Sequence, residues 1–161
     1  MNIRHTRLTM CLAVFAADLL AGAVPALAWD WVTFDLPSGG KESLWRDALA
    51  HHVGGTTEVR VATGRIDVTT SNEVFEVERP TKWKEGMGQV LAYAGDTGKK
   101  PVLAIMSYAQ GPENLQAKSK KLFDLAEETC IRNGVRLLIL FPARPEDFPH
   151  TRTNKPTAGA R

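Results

Sequence analysis

Two apolar runs constrain this chain more than anything else in it: Pro101–Ser107 (PVLAIMS) and Val135–Phe141 (VRLLILF). A strand that reads as continuously hydrophobic, rather than alternating, is one covered on both faces. Between the runs lies Glu113–Asn133, a charged amphipathic stretch whose inward side is expected to carry Leu115, Leu122, Leu125, Ala126 and Ile131. Two buried strands joined by such a helix make a parallel crossover unit, with helices on the faces of a sheet.

Upstream, the punctuation predicts the rest of the sheet. Pro37-Ser38-Gly39-Gly40 ends an irregular lead-in over residues 29–40, and Lys41–His52 then has helical spacing at Leu44, Trp45, Ala48 and Leu49. Gly54-Gly55 closes that helix. Three short alternating runs follow, Thr57–Ala62, Arg65–Thr70 and Glu73–Arg79, separated by the hairpin-like breaks Thr63-Gly64 and Ser71-Asn72. Pro80 stops the third run, and Thr81 opens a helix reaching about Thr97. The expected order is helix, three antiparallel strands, helix, strand, helix, strand: an α/β domain with a mixed sheet flanked by helices, spanning residues 41–141. Residues 142–161, rich in Pro and Gly, are expected to form a loose tail.

The first 28 residues are set apart. Arg4 and Arg7 give a basic start, Leu8–Ala23 is mostly apolar, and Ala26-Leu27-Ala28 supplies the small-x-small pattern of a cleavage site. Asp18, Gly22 and Pro25 interrupt the run before it could span a membrane, which disfavours a retained anchor. The expectation is a signal peptide, a mature chain beginning at Trp29, a periplasmic or secreted location and no stable membrane association. Cys11 leaves with that segment, so Cys130 has no disulfide partner and reads as a small buried apolar residue. A net charge of +2 excludes a globally basic nucleic-acid binder; any such surface must be local.

The polar residues of the second and third alternating runs carry the chemistry. In Glu73-Val74-Phe75-Glu76-Val77-Glu78, period-two alternation sends Glu76 and Glu78 to one face and Phe75 and Val77 to the other. Hairpin pairing brings Asp67 alongside Glu76. Carboxylates so crowded shift one another's pKa values unless a cation sits among them, and hard oxygens of this kind suit Mg²⁺ or Mn²⁺. The same pattern also fits an ordinary solvated strand face. On the next helix, Gln89 and Tyr93 are four apart and share a face.

Taken in order, Asp67, Glu76-Val77-Glu78 and Gln89-x-x-x-Tyr93 resemble the motifs of the PD-(D/E)XK (restriction-endonuclease-like) nuclease superfamily, closest to the RecB-type branch with its Q-x-x-x-Y signature. The resemblance implies an αβββαβ core with one extra helix and strand at the C-terminal end. It also implies an exported Mg²⁺-dependent (or Mn²⁺-dependent) nuclease acting on nucleic acid, with DNA as the expected substrate. In that reading Asp67 and Glu76 bind the metal with the carbonyl of Val77, and Gln89 and Tyr93 contact nucleic acid or support the site. Glu42 on the first helix either completes the metal site or is an ordinary surface residue. Arg65 and Lys84 are cations available near this face for nucleic-acid contact. The chain departs from the pattern in having Glu78 where the family has lysine. Lys82, four residues on, is either a migrated substitute or a surface lysine; without it Glu78 becomes a third ligand or the general base. Trp83 is either a stacking residue or a core anchor with Met87 and Val90. The departure leaves a second expectation open, that of a catalytically degenerate domain which binds nucleic acid or protein without cutting.

Overall fold

The computed structural model describes residues 29–144. The expected signal peptide, and the expected tail beyond Arg144, lie outside the described residues. Six strands form one sheet in the order β1-β6-β5-β4-β3-β2, with three helices packed against it. The elements are β1 (Asp30–Pro37), α1 (Glu42–Val53), β2 (Thr56–Val61), β3 (Gly64–Thr69), β4 (Glu73–Glu78), α2 (Trp83–Thr97), β5 (Lys100–Met106), α3 (Ala117–Arg132) and β6 (Arg136–Arg144). Pairing is antiparallel for β2–β3 and β3–β4, and parallel for β4–β5, β5–β6 and β6–β1, so the sheet is mixed.

The two apolar runs are the interior strands β5 and β6. Val102, Leu103, Ala104 and Ile105 are fully buried, and so are Ile139, Leu140 and Phe141. Alternation divides the core in two. Val74, Leu103, Ile105, Leu137 and Ile139 face α2 and α3, joining Trp83, Met87, Val90 and Phe123. Phe75, Val77, Val102, Ala104, Leu138 and Leu140 face α1, joining Trp45, Leu49 and Ala50. Burying a large apolar side chain of this kind stabilises by roughly 1.5–3 kcal/mol, so these layers fix the register of both central strands.

Four expectations need correction. Residues 30–37, expected to be irregular, form β1, which pairs in parallel with β6 from Asp30↔Leu138 to Phe34↔Pro142. Its partner is more than 100 residues away in sequence, so no local signal announces it. The inward face of α3 holds Ala126, with Leu115 and Leu122 packed against the core, as expected, but it centres on Phe123, Ala126 and Cys130, whereas Leu125 is 49% and Ile131 68% exposed. Spacing of three and four from Phe123 selects that stripe, and Leu125 and Ile131 fall off it. Leu44 on α1 is likewise exposed, with Trp45 and Leu49 inward. The β6 strand also runs through Pro142 to Arg144, past the expected boundary at Phe141.

Helix α2 lies close on β4 because it carries glycine at the contact. A Cβ at Gly86 would stand 2.7 Å from Cγ of Glu78 and 3.0 Å from Cδ1 of Leu103, whereas one at Gly88 would meet nothing within 4 Å. Gly86→Ala should therefore destabilise the domain by about 1–3 kcal/mol through overpacking. Gly88→Ala should stabilise it by about 0.5–1 kcal/mol through helix propensity. Urea denaturation of the two variants measures both, and equal effects would refute the close approach.

Candidate functional site

The site begins where β3 leaves β4. The ladder between them holds only Val68↔Phe75 and Thr69↔Val74. Beyond it the strands diverge: Ile66 is buried on the α2 side while Val68, two residues away, is buried on the α1 side. Residues two apart on a regular strand share a face, so β3 turns over at Asp67. There the side chain replaces the missing ladder, Oδ2 of Asp67 accepting the N–H of Val77 at 3.0 Å. The gap so opened receives Glu76 and Glu78 from β4, both on the face opposite Phe75 and Val77, as alternation requires.

Glu76 is the unusual group. It is 6% exposed, and its Oε2 is buried with no hydrogen-bond partner among the described residues. Burial, then the charges of Asp67, Glu78, Glu42 and Glu85, push its pKa up to about 9. Asp67 is raised as well, by burial first and by Glu42 and Glu58, against the Val77 hydrogen bond and the charge of Arg46. Glu78 is raised by burial, partly offset by the Arg79 N–H that its Oε2 accepts at 3.0 Å and by Lys82. Near neutral pH Glu76 therefore carries a proton.

The structure brings together most of the residues singled out above. Asp67, Glu76 and Glu78 share one cluster, and Glu42, in the first turn of α1, adds its charge to all three. Tyr93 is buried on α2, its phenol pushed up by burial and by Glu76, with the Arg65 backbone beside it. Gln89 is half-buried and its Oε1 is buried without a partner among the described residues. Lys82 is exposed and lies 3.6 Å from Glu85. Trp83 is a core residue at 7% exposure, with Lys84 Nζ 5.6 Å above its ring. Cys130 is buried, and burial pushes its thiol up to about 12.

Sequence reasoning missed Arg46, Glu58 and Glu85. Arg46 lies one helical turn after Glu42, pairs with Glu58 and Asp47, and its positive charge counters the rise of the Asp67 pKa. Glu58 has φ 60, a left-handed backbone uncommon for a residue with a side chain. It is held there by Arg46 and by Arg65 at 2.5 Å. The i, i+4 spacing of Glu42 and Arg46 was visible in sequence; the strained Glu58 was not. Among the described residues, no three His, Cys, Asp or Glu side chains stand together as a set that could hold a metal ion. As placed, two of the carboxylates are engaged by backbone N–H groups instead.

The similarities of the chain lie elsewhere than its motifs suggested. A segment of 54 residues, 34% of the chain, is 37% identical to a KilA-N domain-containing protein of Acanthamoeba polyphaga mimivirus, of which it covers 22%. A second KilA-N domain-containing protein of the same virus is 38% identical over 53 residues, 33% of the chain and 14% of that protein. The chain thus spans less than a quarter of the length of either relative. No family model matches, and no solved structure does. These relatives overturn the expectation of a PD-(D/E)XK nuclease and, with it, of a hydrolase: they are KilA-N domain-containing proteins, a different family. The physical reason for the false lead is plain. Two carboxylates on alternate positions of a strand, followed by an amphipathic helix, is a pattern that any half-buried hairpin can produce.

The sign of the pH effect follows from the raised pKa of Glu76. The folded state keeps the proton while the unfolded chain, with an ordinary value of 4.5, releases it. The resulting stability is fully present below about pH 4.5 and is lost as pH rises through about 9. In buffer free of divalent cations, the parent should lose roughly 1–3 kcal/mol between weakly acidic and neutral pH. Glu76→Gln should flatten that profile and be the more stable protein at neutral pH. Parallel profiles for the two proteins, by chemical denaturation across pH, would show that Glu76 is not protonated in the fold.

Proposed function

We propose that this domain is a nucleic-acid-binding module, with DNA as its ligand, and that it holds the strand without cleaving it. The observation that carries this reading is the similarity to KilA-N domain-containing proteins, since KilA-N domains are generally DNA-binding. Surface charge supports it. Arg60, Arg65, Arg79, Lys82 and Lys84 are all exposed around the β3–β4 gap and the start of α2. Arg60, Arg79 and Lys84 have no ion-pair partner among the described residues. Phosphate contacts from such groups supply most of non-specific affinity. An ionised carboxylate cluster beneath them would repel phosphate, and the proton on Glu76 removes part of that repulsion.

Mg²⁺ or Mn²⁺ belongs to the same proposal as an occupant of the acidic gap. The unpartnered Oε2 of Glu76 is a hard oxygen suited to such a cation. Since the described side chains form no ready ligand set, Asp67 and Glu78 would have to turn from the N–H groups of Val77 and Arg79 to complete one. Binding would require Glu76 to give up its proton, so affinity rises with pH. Millimolar Mg²⁺ should raise the melting temperature more at mildly alkaline than at neutral pH, and should not raise that of Glu76→Gln. An equal rise in both proteins would place the cation elsewhere.

The direct test is fluorescence anisotropy with a labelled DNA duplex over a salt series. The parent should bind with a log–log salt slope that falls by about 0.9 for each of Arg60→Ala, Arg79→Ala and Lys84→Ala. The DNA should be recovered uncut after incubation with either metal. No binding at low salt, or slopes unchanged by all three substitutions, would remove the reading.

A further inference from the structure

We propose that the cavity at the carboxyl ends of β4 and β5 is a nucleotide pocket, taking an aromatic base against Tyr108 and its phosphate at the first turn of α3. The inference deepens the nucleic-acid reading and rests on it for the source of the nucleotide, though not for the chemistry of the pocket. The cavity has a volume of about 290 Å³ and is lined in part by Pro80, Ser107, Tyr108, Gln116, Ser119 and Phe123. That size lies just below the small-molecule range of roughly 300–1,000 Å³, so the cavity receives a base with its phosphate left outside at the helix end. Its position, outside the carboxyl ends of parallel strands in an open sheet, is where α/β folds leave crevices for ligands.

The lining is chosen for a planar, hydrogen-bonding ligand that ends in an anion. Phe123 and Pro80 give apolar walls, and Tyr108 lines the cavity while 56% exposed, an aromatic ring available for stacking. Ser107 is 1% exposed; its hydroxyl accepts the N–H of Ala109 at 3.1 Å, and its own proton has no acceptor among the described residues. That buried donor is free to serve a base edge. None of the lining side chains is charged. Helix α3 begins beside the cavity after Gln116, and no side chain caps it. The open N–H groups of its first turn, together with exposed Lys118 and Lys121, favour an anion at that end. Glu113, next in sequence to the lining residue Asn114, accepts a hydrogen bond from the Asn114 amide at 3.0 Å.

The same chemistry is offered by a free mononucleotide and by an unpaired nucleotide of a strand, so the experiment uses both. The full chain is titrated with adenosine monophosphate, a short single-stranded DNA and the matching duplex, with backbone amide shifts followed by NMR. The mononucleotide should shift the amides of Tyr108, Ser119 and their neighbours. Tyr108→Ala should weaken single-strand binding roughly tenfold and leave duplex binding unchanged, in line with loss of one base stack. Ser119→Glu adds an acid to the first turn of α3, which favours the helix, so it should raise the melting temperature while abolishing the mononucleotide shifts. If both variants bind mononucleotide and single strand as the parent does, the pocket is refuted even where duplex binding persists. If the mononucleotide shifts the pocket but no oligonucleotide binds, the pocket stands as a free-nucleotide site and the nucleic-acid reading falls.

Discussion

The hydrogen bond from Val77 N–H to Asp67 is the contact on which the site depends. A regular hairpin would continue the β3–β4 ladder past Val68 and leave no space between the strands. Instead the backbone donor of Val77 is satisfied by a side chain, so β3 can turn away without leaving that donor unpaired and buried. Everything polar at the site follows from the gap so made: the inward reach of Glu76, the approach of Glu42 and Arg46 from α1, and the packing of Tyr93 from α2.

That gap is an expensive place to keep charge, and the fold answers the cost in two ways. Arg46 and Arg65 bind Glu58 at the outer side, holding a backbone conformation that few residues with side chains adopt. On the inner side burial and neighbouring carboxylates keep Glu76 protonated, so the cluster carries less negative charge than its composition suggests. The exposed arginines and lysines around it then face solvent over a largely desolvated acidic floor. A phosphate backbone approaching that rim would meet the cations first.

Much of the architecture was legible because the apolar patterns are unambiguous. Continuous runs gave the buried central strands, and alternation placed Glu76 and Glu78 opposite Phe75 and Val77. What could not be read locally was set by tertiary contact. β1 is a strand because β6 is beside it, and α3 buries Phe123, Ala126 and Cys130, leaving Leu125 and Ile131 outside. At the site, crowding of the carboxylates followed from strand period, whereas Arg46 and the left-handed Glu58 depend on how α1 crosses the hairpin. The nuclease resemblance failed because the acidic spacing reports strand geometry, and strand geometry is common to proteins with unrelated activities.

The claim that joins fold to function is that the acidic gap is held neutral at Glu76 beneath a cationic rim. Carbon-detected NMR titration of the Glu76 side-chain carboxyl, in the full chain without divalent cations, measures this directly. The account predicts a carboxyl that remains protonated through neutral pH, with its midpoint near the value of about 9. A midpoint close to the ordinary 4.5 would contradict it.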